Sequence, residues 1–348
     1  CGSPRTDVTG IDDVARAAGV SAATVSRALS GRGRISDATR TRVRAAAADL
    51  GYVVSAAASA LATGRAANIG VVVPLLDRWF FANVLDGIAS RLAPQGYDMT
   101  LYSMSEDRIQ RDGVLDVSLR RGRVDGLIVL SVALTDDEID RLLSLDLPVV
   151  GLGATTPRLP ALRVDELAVA RAATEHLLHL GHRRIAHIGA GHAGDPGLDI
   201  PSLRRHGFTS AMADAGIRDA PFAAAEFTID GGHRAALALL EGDEPPTAIF
   251  AASDEIAFGA MFAARDRGLD VPGDLSVIGV DGHEMGDFFG LTTVAQFPHE
   301  QGERAADAVL AALEGRQELG DLAFRLVERT STSAPRGGLA EVAGRPSP

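Results

Sequence analysis

Lysine is absent from this 348-residue chain, and cysteine and tryptophan occur once each. All 34 basic residues are arginine, a bias that beside abundant alanine and glycine reads as genomic composition and carries no mechanism. A single cysteine, Cys1, excludes an intramolecular disulfide and fits a reducing cytoplasm. No apolar run approaches the roughly 20 residues of a membrane-spanning helix, and no hydrophobic signal segment opens the sequence. The expectation is a cytoplasmic protein with no membrane partner. Also missing are a Ser-His-Asp or paired-carboxylate arrangement and a nucleophile elbow, so an enzyme is not expected.

What is present is an uneven division of charge. Residues 1–65 carry nine arginines against five aspartates, a charge of +4, whereas the whole chain carries −12, which leaves −16 for the remainder. A basic head on an acidic body suits a nucleic-acid-binding module attached to a domain with other business. Within the head, residues 12–29 read as a helix-turn-helix. A first helix over 11–18 buries Val14, Ala15 and Ala18, Gly19 supplies the tight turn, and Ser21 caps a second helix buried through Val25 and Leu29. The second helix carries Ser21, Ala22, Ala23, Thr24, Ser26 and Arg27 near its start, small and polar residues that suit a DNA groove better than an ordinary helical core. Arg27 is the candidate for a guanine edge, Ala22 and Ala23 for apolar contact with thymine methyls, and Thr24 and Ser26 for phosphate or base. Ser36 caps a third helix over 37–50, with an inward stripe of Val43, Ala46, Ala47 and Leu50 and with Arg40, Arg42 and Arg44 near phosphates.

Residues 55–62 form a short alanine-rich helix-former capped by Ser55, too short to be stable alone in water, followed by a linker. From residue 69 the pattern changes to apolar strands over 69–73, 99–102, 126–130, 148–152, 184–188, 248–251 and 276–280, with weaker ones near 293–296 and 324–327. Amphipathic helices alternate with them over 82–93, 106–121, 167–180, 203–215, 232–240, 255–267 and 301–314. The fold class is α/β with doubly wound parallel sheets, which bind ligands beyond the carboxyl ends of their strands.

At this point the chain resembles the LacI-type (lactose and galactose repressor) transcriptional regulators over residues 8–335. The resemblance is carried by Asp13-Val14-Ala15-Arg16-Ala17-Ala18-Gly19-Val20-Ser21 with Thr24-Val25-Ser26-Arg27, by Leu50-Gly51-Tyr52, by Ile69-Gly70-Val71-Val72-Val73-Pro74, by Val124-Asp125-Gly126, by Leu180-Gly181-His182-Arg183, and by Leu275-Ser276-Val277-Ile278-Gly279. It implies a homodimer on a palindromic double-stranded DNA operator, with an all-α head over 8–52 and a hinge helix and linker over 53–66. It further implies a two-lobed, periplasmic-binding-protein-like effector domain over 67–336, with lobes of about 67–164 plus 295–322 and 165–294 plus 323–336, ahead of a tail over 337–348. In the family, paired hinge helices enter the minor groove and a leucine wedges a base step; Leu61 matches that leucine, with Ala58 in the same helix. Val54 stands where the family usually has Pro, and Ser59 where it usually has Arg.

Strand ends and family ligand loops give the effector candidates: Asp77, Trp79 and Phe80 after the first strand, Ser131 after the third, Arg204, Phe227, Ser253 with Asp254, and Asp281. Aromatic faces that cover C–H patches and planar charged groups that grip hydroxyls suit a sugar or sugar derivative; a nucleobase or nucleoside is the second choice. Cys1-Gly2-Ser3 resembles the start of a processed lipoprotein, so a secreted sugar-binding lipoprotein is the competing reading, although a helix-turn-helix has no use outside the cell. Gly189-Ala190-Gly191-His192-Ala193-Gly194 spells a dinucleotide fingerprint, but Asp195-Pro196-Gly197 breaks the helix it needs, so no cofactor is expected. His176, His179 and His182 lack a companion cluster and read as structural rather than metal ligands.

Overall fold

A computed structural model of the chain describes residues 10–29, 34–52, 64–104, 107–153, 156, 158–191 and 199–336. They divide into two compact units, residues 1–68 with 122–125, and residues 69–121 with 126–348.

The first unit opens with α1 (Ile11–Ala18), α2 (Ala22–Leu29) and α3 (Asp37–Asp49). Gly19 ends α1 at φ +63°, a left-handed conformation in which a Cβ is strained, which fixes a glycine at the turn. The Ser21 hydroxyl accepts from the Thr24 amide at 3.2 Å and Ser36 accepts from Thr39, so both expected caps are formed. Val14, Ala15, Ala18, Val25, Ala28, Val43 and Ala47 make the core. Two expectations shift: Ala28 rather than Leu29 is the second fully buried residue of α2, and Leu50 lies at the surface, because α3 ends one residue earlier. Alanine dominates this core because the helices cross closely, and the Arg42 Nε bond to the carbonyl of Ala18 (2.9 Å) ties α3 to the end of α1. Further along, the Asp125 carboxylate accepts from the amides of Ala66 and Ala67, both at 2.7 Å.

The second unit contains two sheets. The strands are β1 (Asn68–Val73), β2 (Asp98–Ser103), β3 (Gly126–Leu130), β4 (Val149–Leu152), β5 (Ala161–Leu162), β6 (Ile185–Gly189), β7 (Phe222–Ala224), β8 (Ala248–Ala251), β9 (Ser276–Asp281), β10 (Thr292–Ala295) and β11 (Arg325–Val327). One sheet has the order β2-β1-β3-β4-β5 and the other β11-β10-β9-β8-β6-β7. All residues of β3, β8 and β9 are buried, as strands covered by helices on both faces must be. From β1 through β5 and from β10 through β7 the neighbouring strands pair in parallel, whereas β11 runs antiparallel to β10 at the edge; that strand departs from the all-parallel expectation.

The helices of this unit are α4 (Trp79–Leu92), α5 (Arg108–Asp112), α6 (Asp136–Leu143), α7 (Glu166–His179), α8 (Ile200–Asp214), α9 (Ile229–Leu240), α10 (Asp254–Asp266), α11 (Met285–Phe289) and α12 (Pro298–Leu313). The helix expected over 106–121 is instead α5 followed by a π-helical turn (Gly113–Ser118) and a 3-10 turn (Leu119–Arg121); Gly113 sits at the change, where a glycine is poor at sustaining an α-helix. β5, β7 and α11 go beyond the sequence expectations, each too short to declare a period, and α6 is a further addition although it is as long as α1. α4 and α12 pack at glycine distance: a Cβ on Gly87 would lie 2.0 Å from the His299 carbonyl oxygen, and one on Gly302 2.1 Å from that of Val84. Among the described residues no helix is long and apolar enough to cross a membrane.

Candidate functional site

In the head, α2 buries Val25 and Ala28 and turns the remaining face outward, with Ser21, Ala23, Ser26 and Arg27 exposed and Ala22 and Thr24 half-buried. The Arg27 Nε donates to the Ala23 carbonyl at 3.1 Å, so the side chain lies along its own helix. Ser21 and Thr24 hydroxyls are 2.9 Å apart. The hinge candidates Ser55, Ala58 and Leu61 lie outside the described residues.

In the second unit, a cavity of about 900 Å³ opens where the carboxyl ends of both sheets converge. Leu75 follows β1, Ser131 follows β3 and Gly153 follows β4; Phe227 follows β7, Ser253 follows β8 and Asp281 ends β9. Ligand clefts of doubly wound sheets sit at such strand ends. Two non-glycine residues of the lining hold positive φ, Ser131 at +46° and Asp281 at +121°. Strain of that kind collects where a fold presents side chains to a ligand.

Six of the nine sequence candidates line the cavity: Phe80, Ser131, Arg204, Phe227, Ser253 and Asp281. Three do not. Asp77 is exposed and pairs with its neighbour Arg78 at 3.3 Å. Trp79 lies just outside the lining, stacked on His283 with ring centroids 4.4 Å apart. Asp254 faces into the fold, where it accepts from the Gly282 amide (2.9 Å), the His283 amide (2.7 Å) and the Thr293 hydroxyl (2.7 Å). Burial pushes the Asp254 carboxyl up to about 7 against the pull of those donors. It braces the loop behind Asp281 and takes no part in the lining.

Arg204 is buried and already committed. Its Nε donates to Glu166 at 2.7 Å, and its terminal nitrogens donate to the Ala252 carbonyl and, at 3.1 Å, to Gln296 Oε1. Gln296 in turn donates to Glu166, closing the network. Burial acts to lower the Arg204 pKa, but the surrounding carboxylates outweigh it and raise it further. Arg204 therefore ties the residues of the cavity wall together while remaining part of the lining. Ser253 has a second duty as the N-cap of α10, accepting from Ile256 at 3.2 Å.

Sequence reasoning missed Phe81, Glu166, Glu255 and Gln301, all of which line the cavity. Glu255 follows directly on the Ser253-Asp254 pair, so the strand-end rule extended by one residue reaches it. Nothing in the sequence marks Gln301, which arrives from α12. Two of the three histidines have protein partners: His176 Nε2 lies 2.9 Å from the Thr332 hydroxyl, and His182 contacts Thr247, Ser276 and the Ser333 carbonyl, while His179 is exposed. Among the described residues no group of His, Cys, Asp and Glu is arranged to hold a metal.

A head of three helices and a unit of two sheets with a strand-end cleft are matched in known proteins. Residues 10–55 match the bacterial regulatory proteins, lacI family, and residues 174–332 match the periplasmic binding protein-like domain. The chain is 34% identical over 311 residues to the HTH-type transcriptional repressor CytR of Escherichia coli (strain K12), covering 87% of this chain and 89% of that protein. The chain belongs to the lacI family. It is a DNA-binding transcriptional regulator, not an enzyme. Its fold is similar to that of the lac repressor dimer bound to operator and the anti-inducer ONPF, with a TM-score of 0.82, 26% identity, and 94% and 99% of the two chains covered. It is also similar to the transcriptional regulator CelR–cellobiose complex, with a TM-score of 0.67, 26% identity, and 93% and 99% covered.

Proposed function

We propose that a homodimer of this chain reads a palindromic operator through α2 and releases or grips it according to whether a small, polyhydroxylated molecule occupies the strand-end cavity. The observation that carries this reading is the lining itself. Phe80 and Phe227 offer apolar faces and Asp281 and Ser131 offer hydrogen-bonding groups, the combination that recognises a carbohydrate ring. That CelR is described with cellobiose supports the same class. A nucleoside also presents one apolar face and a hydroxylated ring, and remains the second ligand class to test. The outward Ser21, Ala22, Ala23, Thr24, Ser26 and Arg27 of α2 read the groove, and Ser55, Ala58 and Leu61 of the connecting segment fold as a minor-groove helix on DNA. Such a regulator works in the cytoplasm on the nucleoid.

Selection of genomic fragments by the full chain, followed by gel shifts with and without candidate sugars and nucleosides, tests the proposal. Enrichment of an inverted repeat whose affinity changes with one ligand supports it. Recovery of fragments with no common repeat contradicts it.

A further inference from the structure

The charges around the cavity do not balance once each is assigned its partner. The lining contains the carboxylates Glu166, Glu226, Glu255 and Asp281 and the guanidinium groups Arg78, Arg204 and Arg234. Glu166 is consumed by Arg204. Arg234 is consumed at the rim by Asp230 and by Glu226, 3.6 Å away. Arg78 is held by the Asp77 carboxylate at 3.3 Å and by its own carbonyl neighbour at 3.2 Å.

Two carboxylates remain. Asp281 is buried, and its nearest cation, an Arg204 nitrogen 3.9 Å off, already donates to the Ala252 carbonyl. Glu255 is half-buried at the first turn of α10; among the described residues its side chain makes no hydrogen bond or ion pair, and Arg78, itself held by Asp77, is the cation whose charge reaches it. Burial raises both groups above the ordinary carboxylate range, against the weaker pull of Arg78 on Glu255 and of Arg204 on Asp281, and Asp281 lies within the field of Glu255. A hydroxyl donor satisfies one oxygen of such a group but leaves its charge unopposed; an ammonium group supplies up to three donors and the opposite charge at once. An anionic ligand adds a like charge in a site shielded from water, where repulsion is strongest. The apolar rings of Phe80, Phe81 and Phe227 complete the match, since they cover C–H faces and attract a cation.

We propose that the cavity is built for an amine-bearing carbohydrate, an amino sugar or an oligomer of one, whose protonated nitrogen sits between Glu255 and Asp281. The proposal rests on the reading of this cavity as the effector site. It excludes sugar phosphates and sugar acids as preferred ligands.

Calorimetric titration of the full-length protein at neutral pH with matched ligands tests it. The probes are glucose, galactose and mannose, each with its 2-amino, 2-acetamido and 6-phosphate derivative, and cellobiose beside the β-1,4-linked glucosamine disaccharide. One amine-bearing member is expected to bind at least tenfold tighter than its neutral and acetylated counterparts, with no heat from the phosphates. Glu255→Gln is expected to remove most of the amine member's advantage over its neutral counterpart, with the thermal unfolding midpoint as the check that the variant is folded. A neutral, acetylated or phosphorylated member that binds best, or silence across the whole set, overturns the amine assignment. An amine that binds but leaves operator affinity unaltered upholds the assignment and removes the effector reading instead.

Discussion

Trp79, on the first turn of α4, stacks on His283, which follows β9 on the other sheet, at 4.4 Å between centroids and 22° between planes. The contact joins the two halves of the cleft beside the cavity, and Phe258 meets the far edge of the imidazole at 5.4 Å. The Met285 amide donates to His283 Nδ1 at 3.1 Å, which leaves the proton of the neutral ring on Nε2.

Because Trp79 is the one tryptophan in the chain, its emission reports on this contact alone. Burial lowers the His283 pKa, so the ring is neutral at pH 7 and protonates only below its ordinary value near 6.5. An imidazolium against indole quenches it. Emission is expected to fall on acidification with a midpoint below 6.5, and His283→Gln is expected to remove that step. A titration unchanged by His283→Gln contradicts the contact.

The buried pair of Glu166 and Arg204 makes a stability prediction. Glu166→Ala leaves a guanidinium buried without its carboxylate and is expected to cost about 3–5 kcal/mol, the range for breaking a buried ion pair from one side. Urea unfolding measures it. Glu255→Ala, at a half-buried group with no partner to strand, is expected to change stability far less, and equal losses from the two variants contradict the division of roles drawn here.

His187 sets a pH window. It is fully buried among Phe208, Phe222 and Phe250, its Nδ1 donates to the Phe250 carbonyl at 3.0 Å, and burial drives its pKa down to about 4. Above pH 6.5 the ring is neutral folded or unfolded and stability is unaffected. Between 6.5 and 4 the unfolded chain takes up a proton that the folded chain refuses, so stability falls with pH by about 3 kcal/mol in all. Comparing wild type with His187→Gln in urea from pH 7.5 to 4 isolates the effect, since the variant is expected to lose less stability over that interval. Parallel curves contradict the assignment.

On the DNA side, Arg27→Ala is expected to weaken operator binding by about 1–3 kcal/mol and to relax the base preference at one position of each half-site. Competition against singly substituted operators reads it. Uniform weakening on every sequence assigns Arg27 to a phosphate instead.

Much of this architecture was legible because the signals are local. Ser21 and Ser36 announce their helices by a hydroxyl that finds an amide three residues on, and the strands over 69–73 and 126–130 announce themselves by unbroken apolar runs. Phe80 and Asp281 follow from the rule that strand ends carry sites, and Phe227 from its place in a ligand loop of the family. The misreadings are tertiary in origin. Asp254 looks the same in sequence whether it faces the cavity or the fold, and only the amides of Gly282 and His283, from a distant strand end, settle it. Arg204 does line the cavity, but nothing in the sequence shows that Glu166 and Gln296, 38 and 92 residues away, also engage it. Trp79 was placed on the ligand because a histidine two hundred residues later leaves no mark in the local pattern.

The central claim is that a molecule in the strand-end cavity governs operator binding, and Asp281 offers the most direct access to it. Operator affinity of wild type and Asp281→Asn should be measured by gel shift across a titration of whichever ligand alters the wild type. The account predicts that the two proteins bind operator alike without ligand, and that the Asp281→Asn curve is displaced at least tenfold to higher ligand concentration. An undisplaced ligand response in Asp281→Asn contradicts it.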